Sequence, residues 1–331
     1  MASLSSNGGP TQRRRRRKAK GTKSVLAKLE ESLKDGDFYS ALQMYKTLLS
    51  RTSPKEVKNA RHIAEEGTIK LLEFGYSKAA TELGKQFITD YLIEFKILVD
   101  EDVIQTICNI ANKYPAKDID AQQDKLLFLN EAIDWTKKHD KSNPRGTPTL
   151  HLVTATTYFS LGDFNNASTH FLFSSSPKQH AKFLLFLGKR GFKGERDLFI
   201  LRVVLQFLAL ENIKDASQTF NAWKEDAVGI ETPATHLCDF LIRASQRGQS
   251  AAPLFALLEQ RYQPTLKRDD AFSHYMSMIG HKLFGRPKPQ MGGMMGMGGQ
   301  NANIQLPAPI QMPMQQNAGG YGGGQAGGTQ V

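Results

Sequence analysis

Apolar positions along this chain recur three and four residues apart and nowhere alternate for long. Helices are therefore expected almost throughout, with strands at most a minor ornament. Ile63, Gly67, Leu71 and Phe74 share one such face, and Leu83, Phe87, Tyr91 and Phe95 a second. Leu126, Leu129 and Ile133, with Trp135 close by, continue the pattern. Lys182 to Leu187 and Leu198 to Leu210 are apolar nearly all round, as in helices covered on both sides. Three helix starts carry Pro at the first helical position. Ser53-Pro54-Lys55-Glu56 reads as a capping box, Ser176-Pro177-Lys178-Gln179 repeats that chemistry, and Thr232-Pro233 opens a third helix.

A short element punctuates these helices: a Gly or Asn turn, then an amphipathic helix with Ala in its first turn. Gly36-Asp37-Phe38-Tyr39-Ser40-Ala41 runs into Leu42 through Leu49. Gly75-Tyr76 with Ala80 and Gly162-Asp163-Phe164 with Ala167 repeat it, and Asn212 to Ala216 and Trp223 form a degenerate fourth copy. Turn Gly supplies a positive φ at little steric cost, and Ala lets paired helices approach closely. The copies lie 39, 87 and 50 residues apart, one helical hairpin per step with a weaker one hidden in the long gap. The expected fold is all-α: a right-handed, TPR-like α-solenoid of about fourteen helices in seven hairpins over residues 22–286. A small β-hairpin between Ser245 and Pro253 is the one exception the pattern allows. Such an array offers surface rather than a pocket.

Charge narrows this picture. The chain of 331 residues carries a net charge of +11, but seven positive charges sit in the run Arg13 to Lys18 and Lys20, leaving about +4 for the rest. Residues 1–21 read as a disordered basic tail. From Met291 to Val331 there is no charged residue, and residues 287–331 read as a disordered Gly/Met/Gln-rich tail. Two cysteines exclude a disulfide framework, no secretory apolar segment follows the N-terminus, and no apolar run reaches the roughly 20 residues of a spanning helix. A cytoplasmic protein without membrane insertion is expected, with a nuclear fraction if the Arg13–Lys20 run serves import.

Catalytic chemistry has no foothold. Gly84-Lys85-Gln86 and Gly188-Lys189-Arg190 lack the spacing and hydroxyl of a phosphate loop. His274 and His281 could share a helix face but have no third metal ligand nearby. Cys108, between Ile107 and Ile110, reads as a buried structural thiol. No nucleophile elbow is present, and Asn166-Ala167-Ser168 is a glycosylation sequon that is idle in a cytosolic protein. No enzyme, metal or cofactor is expected. The Arg run suits polyanions as well as it suits a solvated tail, but no aromatic residue interleaves it, which argues against nucleic acid. Met291, Met294, Met295 and Met297 read as tail rather than as an adaptable contact surface.

Gly36-Asp37-Phe38-Tyr39-Ser40-Ala41-Leu42-Gln43-Met44-Tyr45-Lys46-Thr47-Leu48 resembles the N-terminal signature of the Golgi-to-ER traffic protein four family of the guided-entry pathway for tail-anchored proteins. Leu161-Gly162-Asp163-Phe164 through His170-Phe171 agrees, as do Arg190-Gly191-Phe192, Asp197-Leu198-Phe199 and Val203 to Leu208. Leu258-Glu259-Gln260-Arg261-Tyr262-Gln263-Pro264-Thr265-Leu266-Lys267-Arg268-Asp269, with Ile279-Gly280 and Phe284-Gly285, is the most specific block. The Arg run and the Gly/Met/Gln tail depart from the family pattern.

The resemblance implies a tether. Residues 22–150 would dock on the targeting ATPase, and residues 151–286 would hold the N-terminal segment of a ubiquitin-like adaptor. That adaptor recruits a co-chaperone carrying a tail-anchored client. The first signature helix should bury Ala41, Met44, Tyr45 and Leu48 and expose Gln43, Lys46 and Arg51. With Lys28, Phe38 and Tyr39 these form an expected basic and aromatic ATPase-binding edge, although Phe38 and Tyr39 fit helix–helix core equally well. Leu254, Phe255, Leu257 and Leu258, with Tyr262, form an apolar run near the end of the array. Either the adaptor, which the resemblance favours, or the helix from Arg268 to Phe284 must cover it. Two rival classes stay open: a solenoid subunit of another assembly, and a nucleic-acid binder acting through the Arg run.

Overall fold

A computed structural model of the chain describes Leu29, residues 31–227 and 229–287, without the side chain of Lys193. The two expected tails, the Arg run, the Met-rich stretch and Lys28 lie outside the described residues. Helical residues ending at Lys34 lead into α1 (Phe38–Ser50), α2 (Val57–Glu73) and α3 (Ser77–Gln86), which continues as a π-helical stretch, Phe87–Ile93. There follow α4 (Glu101–Asn112), α5 (Ile119–His139), α6 (Pro148–Ser160), α7 (Phe164–Leu172), α8 (Pro177–Arg190) and α9 (Arg196–Ala209). The C-terminal part holds α10 (Ile213–Asp226), α11 (Pro233–Arg247), α12 (Ala252–Arg261), α13 (Gln263–Leu266) and α14 (Asp270–Phe284). The protein is all-α, with no strand among the described residues.

The repeated turn has one geometry in all four copies. Gly36, Gly75 and Gly162 have φ of 77°, 83° and 79°, and in the degenerate copy Glu211 takes the same role at 63°. In each, the residue after the left-handed position donates its N–H to a carbonyl five residues back: Asp37 to Ser32, Tyr76 to Leu71, Asp163 to Tyr158 and Asn212 to Phe207, at 2.8–3.0 Å. That bond closes one helix and places the next N-cap. Asp37, Asp163 and Asn212 then accept the N–H three residues on, at 3.0–3.1 Å. Ala41, Ala80, Ala167 and Ala216, each five residues past the turn, are completely buried.

Local expectations failed at three places. Ser53-Pro54-Lys55-Glu56 is a turn ahead of α2 rather than a capping box, because Ser53 spends its carbonyl on the Glu56 N–H (2.8 Å) and α2 begins at Val57. Ser176 precedes α8 without capping it, its hydroxyl donating to the Ser174 carbonyl instead. Thr232 is the true capping box, closed reciprocally by Thr235 at 3.3 and 3.0 Å. The segment expected as a small β-hairpin is the end of α11, a 3₁₀ turn (Gly248–Ala251) and the start of α12.

The principal helix contacts link elements one or two places apart along the chain, with one exception: α9 also holds α14. Twelve residues of α9 are buried, as its all-round apolar sequence predicts, whereas α8 buries one face and exposes Lys182. Among the described residues α13 is a single turn, and a helical segment ending at Lys34 precedes α1. Apolar core forms two clusters, one from Leu29 to Leu150 and one from Ala155 to Phe284. They meet within α6, whose buried face carries His151, Thr154 and Thr157. The threonine hydroxyls are satisfied by carbonyls one turn back, at 2.8 Å, so the seam needs no outside partner for them.

Candidate docking surfaces

The first surface is the exposed side of α1. Ala41, Leu42, Tyr45 and Leu49 are buried, while Met44 and Leu48 are half-buried. The buried face is thus turned toward Leu42 and Leu49, away from the expected Met44 and Leu48, because Tyr45 plugs into Gly67 of α2. A Cβ on Gly67 would stand 2.7 Å from the Tyr45 ring and 2.8 Å from Leu83. On the opposite side Tyr39 (64% exposed) and Gln43 share a stripe, and Arg51 is exposed at the C-cap. Phe38 is 40% exposed and stacks on Tyr76 of the second turn, with ring centroids 4.4 Å apart. Phe38 and Tyr39 are thus surface rather than core. Phe74, assigned from its spacing to an apolar face, is the C-cap of α2 and half in solvent.

Lys46 does not belong to a free basic edge. Its ammonium pairs with Glu82 of α3. Both line an open crevice of ≈ 520 Å³ shared with Lys78, Lys85, Asp90, Asp124 and Leu127, where cations and carboxylates balance. Among the described residues, the exposed stripe of α1 therefore offers rings and Arg51 more than a positive field.

The second surface is the C-terminal end. Phe255 and Leu258 are buried, 0% and 6% exposed, so neither is available to a partner. Phe255 stacks on Phe284 of α14 at 4.4 Å, and the Arg286 guanidinium covers its ring at 4.7 Å while pairing with Glu259 at 2.6 Å. The helix from Asp270 to Phe284 caps the apolar run, against the expectation that a partner would. Gly280 makes this possible, since a Cβ there would lie 3.1 Å from Phe255. What remains outside is Leu254 (38%), Leu257 (58%) and half-buried Tyr262, with Phe240 of α11 (43%) lying 6.4 Å from the Tyr262 ring. Phe240 carried no signal in the sequence, being one apolar residue among many in α11.

The most specific sequence block turns out to be a clasp. Arg268 grips the Asp197 carboxylate with two N–H bonds at 3.1 and 3.2 Å and also donates to the Gly194 carbonyl. Asp269 caps α14 through the Ala271 N–H at 3.0 Å and pairs with Arg202 of α9. Gln206 donates to the Tyr275 hydroxyl at 3.1 Å, and Lys282 to the Ala209 carbonyl at 2.8 Å. These contacts fix α14 on α9 and so hold the cap over Phe255.

Titratable groups inside the body serve packing. His151 Nε2 faces the Arg145 carbonyl at 2.8 Å and must donate to it; its Nδ1 then accepts from His170 Nδ1, 3.0 Å away. Burial pushes His151 down to about 4, against the upward pull of the Arg145 hydrogen bond, and His170 to about 3; Lys137 lowers both, and His151 lowers His170 further. His180, fully enclosed against Phe171, Phe183 and Phe207, is also pushed down by burial to about 3. Burial raises both thiols, Cys108 and Cys238. His281 bonds the Arg286 carbonyl at 2.9 Å. Among the described residues no three His, Cys, Asp or Glu side chains gather as a metal site, and no helix is long and apolar enough to cross a membrane.

Fold and surfaces together define an array of stacked helices with apolar edges. A family model described as Golgi to ER traffic protein 4 matches residues 54–299. The Golgi to ER traffic protein 4 homolog of Dictyostelium discoideum is 30% identical over 275 residues, 82% of this chain and 86% of that protein. Homolog B of Xenopus laevis is 30% identical over 287 residues, and the Homo sapiens homolog 29% over the same length, each across 83% of this chain and 86% or 85% of its own. The crystal structure of C. therm. Get4 superposes with a TM-score of 0.70 at 22% identity, covering 87% of this chain and 99% of that one. The chain belongs to the Golgi to ER traffic protein 4 family. None of these names is that of an enzyme.

Proposed function

We propose that this protein is a non-enzymatic cytoplasmic adaptor of the tail-anchored protein pathway. It tethers a ubiquitin-like adaptor, with its client-loaded co-chaperone, to the targeting ATPase and so raises the concentration of client near its acceptor. Family membership across most of the chain carries the reading. The structure supports it through two apolar edges at opposite ends of the sequence, one on α1 and one on α11–α12. The ATPase would dock on Phe38, Tyr39, Gln43 and Arg51, with Lys46 tied to Glu82 behind them. The adaptor segment would dock on Phe240, Leu254, Leu257 and Tyr262, with Phe255 and Leu258 holding that ridge from beneath. Exposed Arg51 sets on-rate and salt dependence more than affinity.

Co-purification of the full chain with the two partners tests this. Tyr39→Glu should remove the ATPase and keep the adaptor, and Leu257→Asp should do the reverse. A chain that retains both partners with either variant, and releases them only when the Arg13–Lys20 run is deleted, would overturn the tether in favour of binding through the basic tail.

A further inference from the structure

Helix α8 carries four cations, Lys178, Lys182, Lys189 and Arg190, and no acidic residue. All four are exposed, and none of their side chains makes an ion pair or hydrogen bond to a described residue, although seven Lys and Arg side chains elsewhere close ion pairs to residues far along the chain. Lys178 and Lys189 border crevices that Glu225 and Asp226 of α10 also line, so their charge is partly compensated. Lys182 and Arg190 lie on the other flank, where Phe186 stands between them. The Arg190 guanidinium lies 4.6 Å over the Phe186 ring and 5.7 Å over Phe164. Phe159 backs both rings, at 4.8 and 6.1 Å. A guanidinium laid across two rings has lost much of its rotamer freedom, yet its N–H fork remains unspent.

We propose that this flank of α8 is a docking site for an acidic protein segment, with Arg190 receiving one carboxylate bidentately and Lys182 a second. Planar recognition by a held guanidinium suits a carboxylate, and the ordering cost is met before binding. Eight residues of helix set the two cations about 12 Å apart, and Lys189 lies about 10 Å from Lys182. An acidic helix with carboxylates seven or eight residues apart, or an extended segment with carboxylates three or four residues apart, spans about that gap. The ring faces that could stack a nucleobase are occupied by Arg190 itself, which disfavours single-stranded nucleic acid. This surface shares no residue with either docking surface proposed above, so it adds a third contact.

The probe is a fluorescein-labelled helical peptide bearing two Glu residues one heptad apart, beside its Gln counterpart. Both are titrated into the full chain by anisotropy at low and physiological salt. The Glu peptide should bind at least about ten-fold tighter than the Gln peptide. Lys182→Glu with Arg190→Glu should abolish that difference. Arg190→Lys keeps the charge but loses the fork, and should weaken binding several-fold while far-UV dichroism stays unchanged. The Arg13–Lys20 run is common to all three proteins, so only a difference between them reads α8. Equal Glu-peptide affinity in wild type and double variant overturns the site. Loss of single-stranded RNA or phosphatidylserine-vesicle binding as large as the loss of peptide binding overturns the carboxylate assignment.

Discussion

Helices α1–α5 make their closest approaches at two glycines, whereas α6–α10 meet through interlocked rings. In the first region Gly67 and Gly84 lie against Tyr45 and Phe128 at distances that leave no room for a Cβ. In the second, Phe159, Phe171, Phe183, Phe186 and Phe207 interlock at 4.8–5.7 Å with His180 among them. Both regions use the same left-handed turn. The turn fixes where one helix stops and the next begins, but the residues between turns decide how the helices touch. Close small-residue packing admits no foreign group. The imidazoles of the second region are packed among its rings instead, and this region holds all three depressed histidines.

Acid should separate the two regions most strongly. In the unfolded chain the three histidines titrate near 6.5, while in the fold they sit at about 4 (His151), 3 (His170) and 3 (His180). The unfolded state thus binds more protons below pH 6.5, so full stability is present above that value and is lost as pH falls toward 4. At pH 5 this amounts to about 2 kcal/mol for His180, with the His151–His170 pair adding less than twice that because the two share one site. Hydrogen exchange at pH 7 and pH 5 should show α6–α10 opening before α1–α4. Equal loss in both regions would contradict the assignment of these imidazoles as neutral packing groups.

Next in size is Phe255→Ala. The ring is wholly enclosed between Phe284, Arg286 and Gly280, and its removal should cost about 3–5 kcal/mol and loosen α12 and α14 while α1–α5 keep their protection. Leu257→Asp, on the exposed flank of the same helix, should change thermal stability by less than about 0.5 kcal/mol. If the two variants melt alike, the cap over Phe255 is not closed in solution.

That contrast marks what the sequence could disclose. The all-helical class, the turns and the buried α9 were legible because each is a local pattern: glycine before an N-cap Asp, apolar residues on every side. The orientation of α1 was not, since Met44 and Leu42 are equally apolar and only the insertion of Tyr45 opposite Gly67 decides between them. Likewise Leu254, Phe255, Leu257 and Leu258 read as one run. The helix two elements further on, α14, chooses which two of the four remain outside. Lys46 was misassigned as free for the same reason: its partner, Glu82, lies a full repeat away.

Gly67→Ala probes the close-packed region itself. The added methyl would meet ring and methyl atoms at 2.7–2.9 Å, so α1, α2 and α3 must shift, at a cost of about 1–3 kcal/mol despite the better helix propensity of Ala. The equivalent change at Gly188 in α8 has room, since the nearest atom lies 3.6 Å away on a flexible Arg196 side chain, and helix propensity alone should make it neutral or slightly stabilising. Urea midpoints of the two variants check this directly: opposite signs support the comparison, and equal destabilisation breaks it.

A small effect is expected at Lys46. Its ion pair with Glu82 joins α1 to α3, but the Glu82 side chain is 58% exposed, so solvent screens the pair and its contribution should stay below about 1 kcal/mol. Lys46→Ala, Glu82→Ala and the double variant form a cycle whose coupling energy isolates the contact. A coupling of a few tenths of a kcal/mol that fades as salt is raised fits a pair that fixes the α1 stripe without carrying the fold. A coupling above 2 kcal/mol, insensitive to salt, would mean that the crevice around Lys46 is closed to water. The close-packed region would then depend on a charged contact as much as on its glycines.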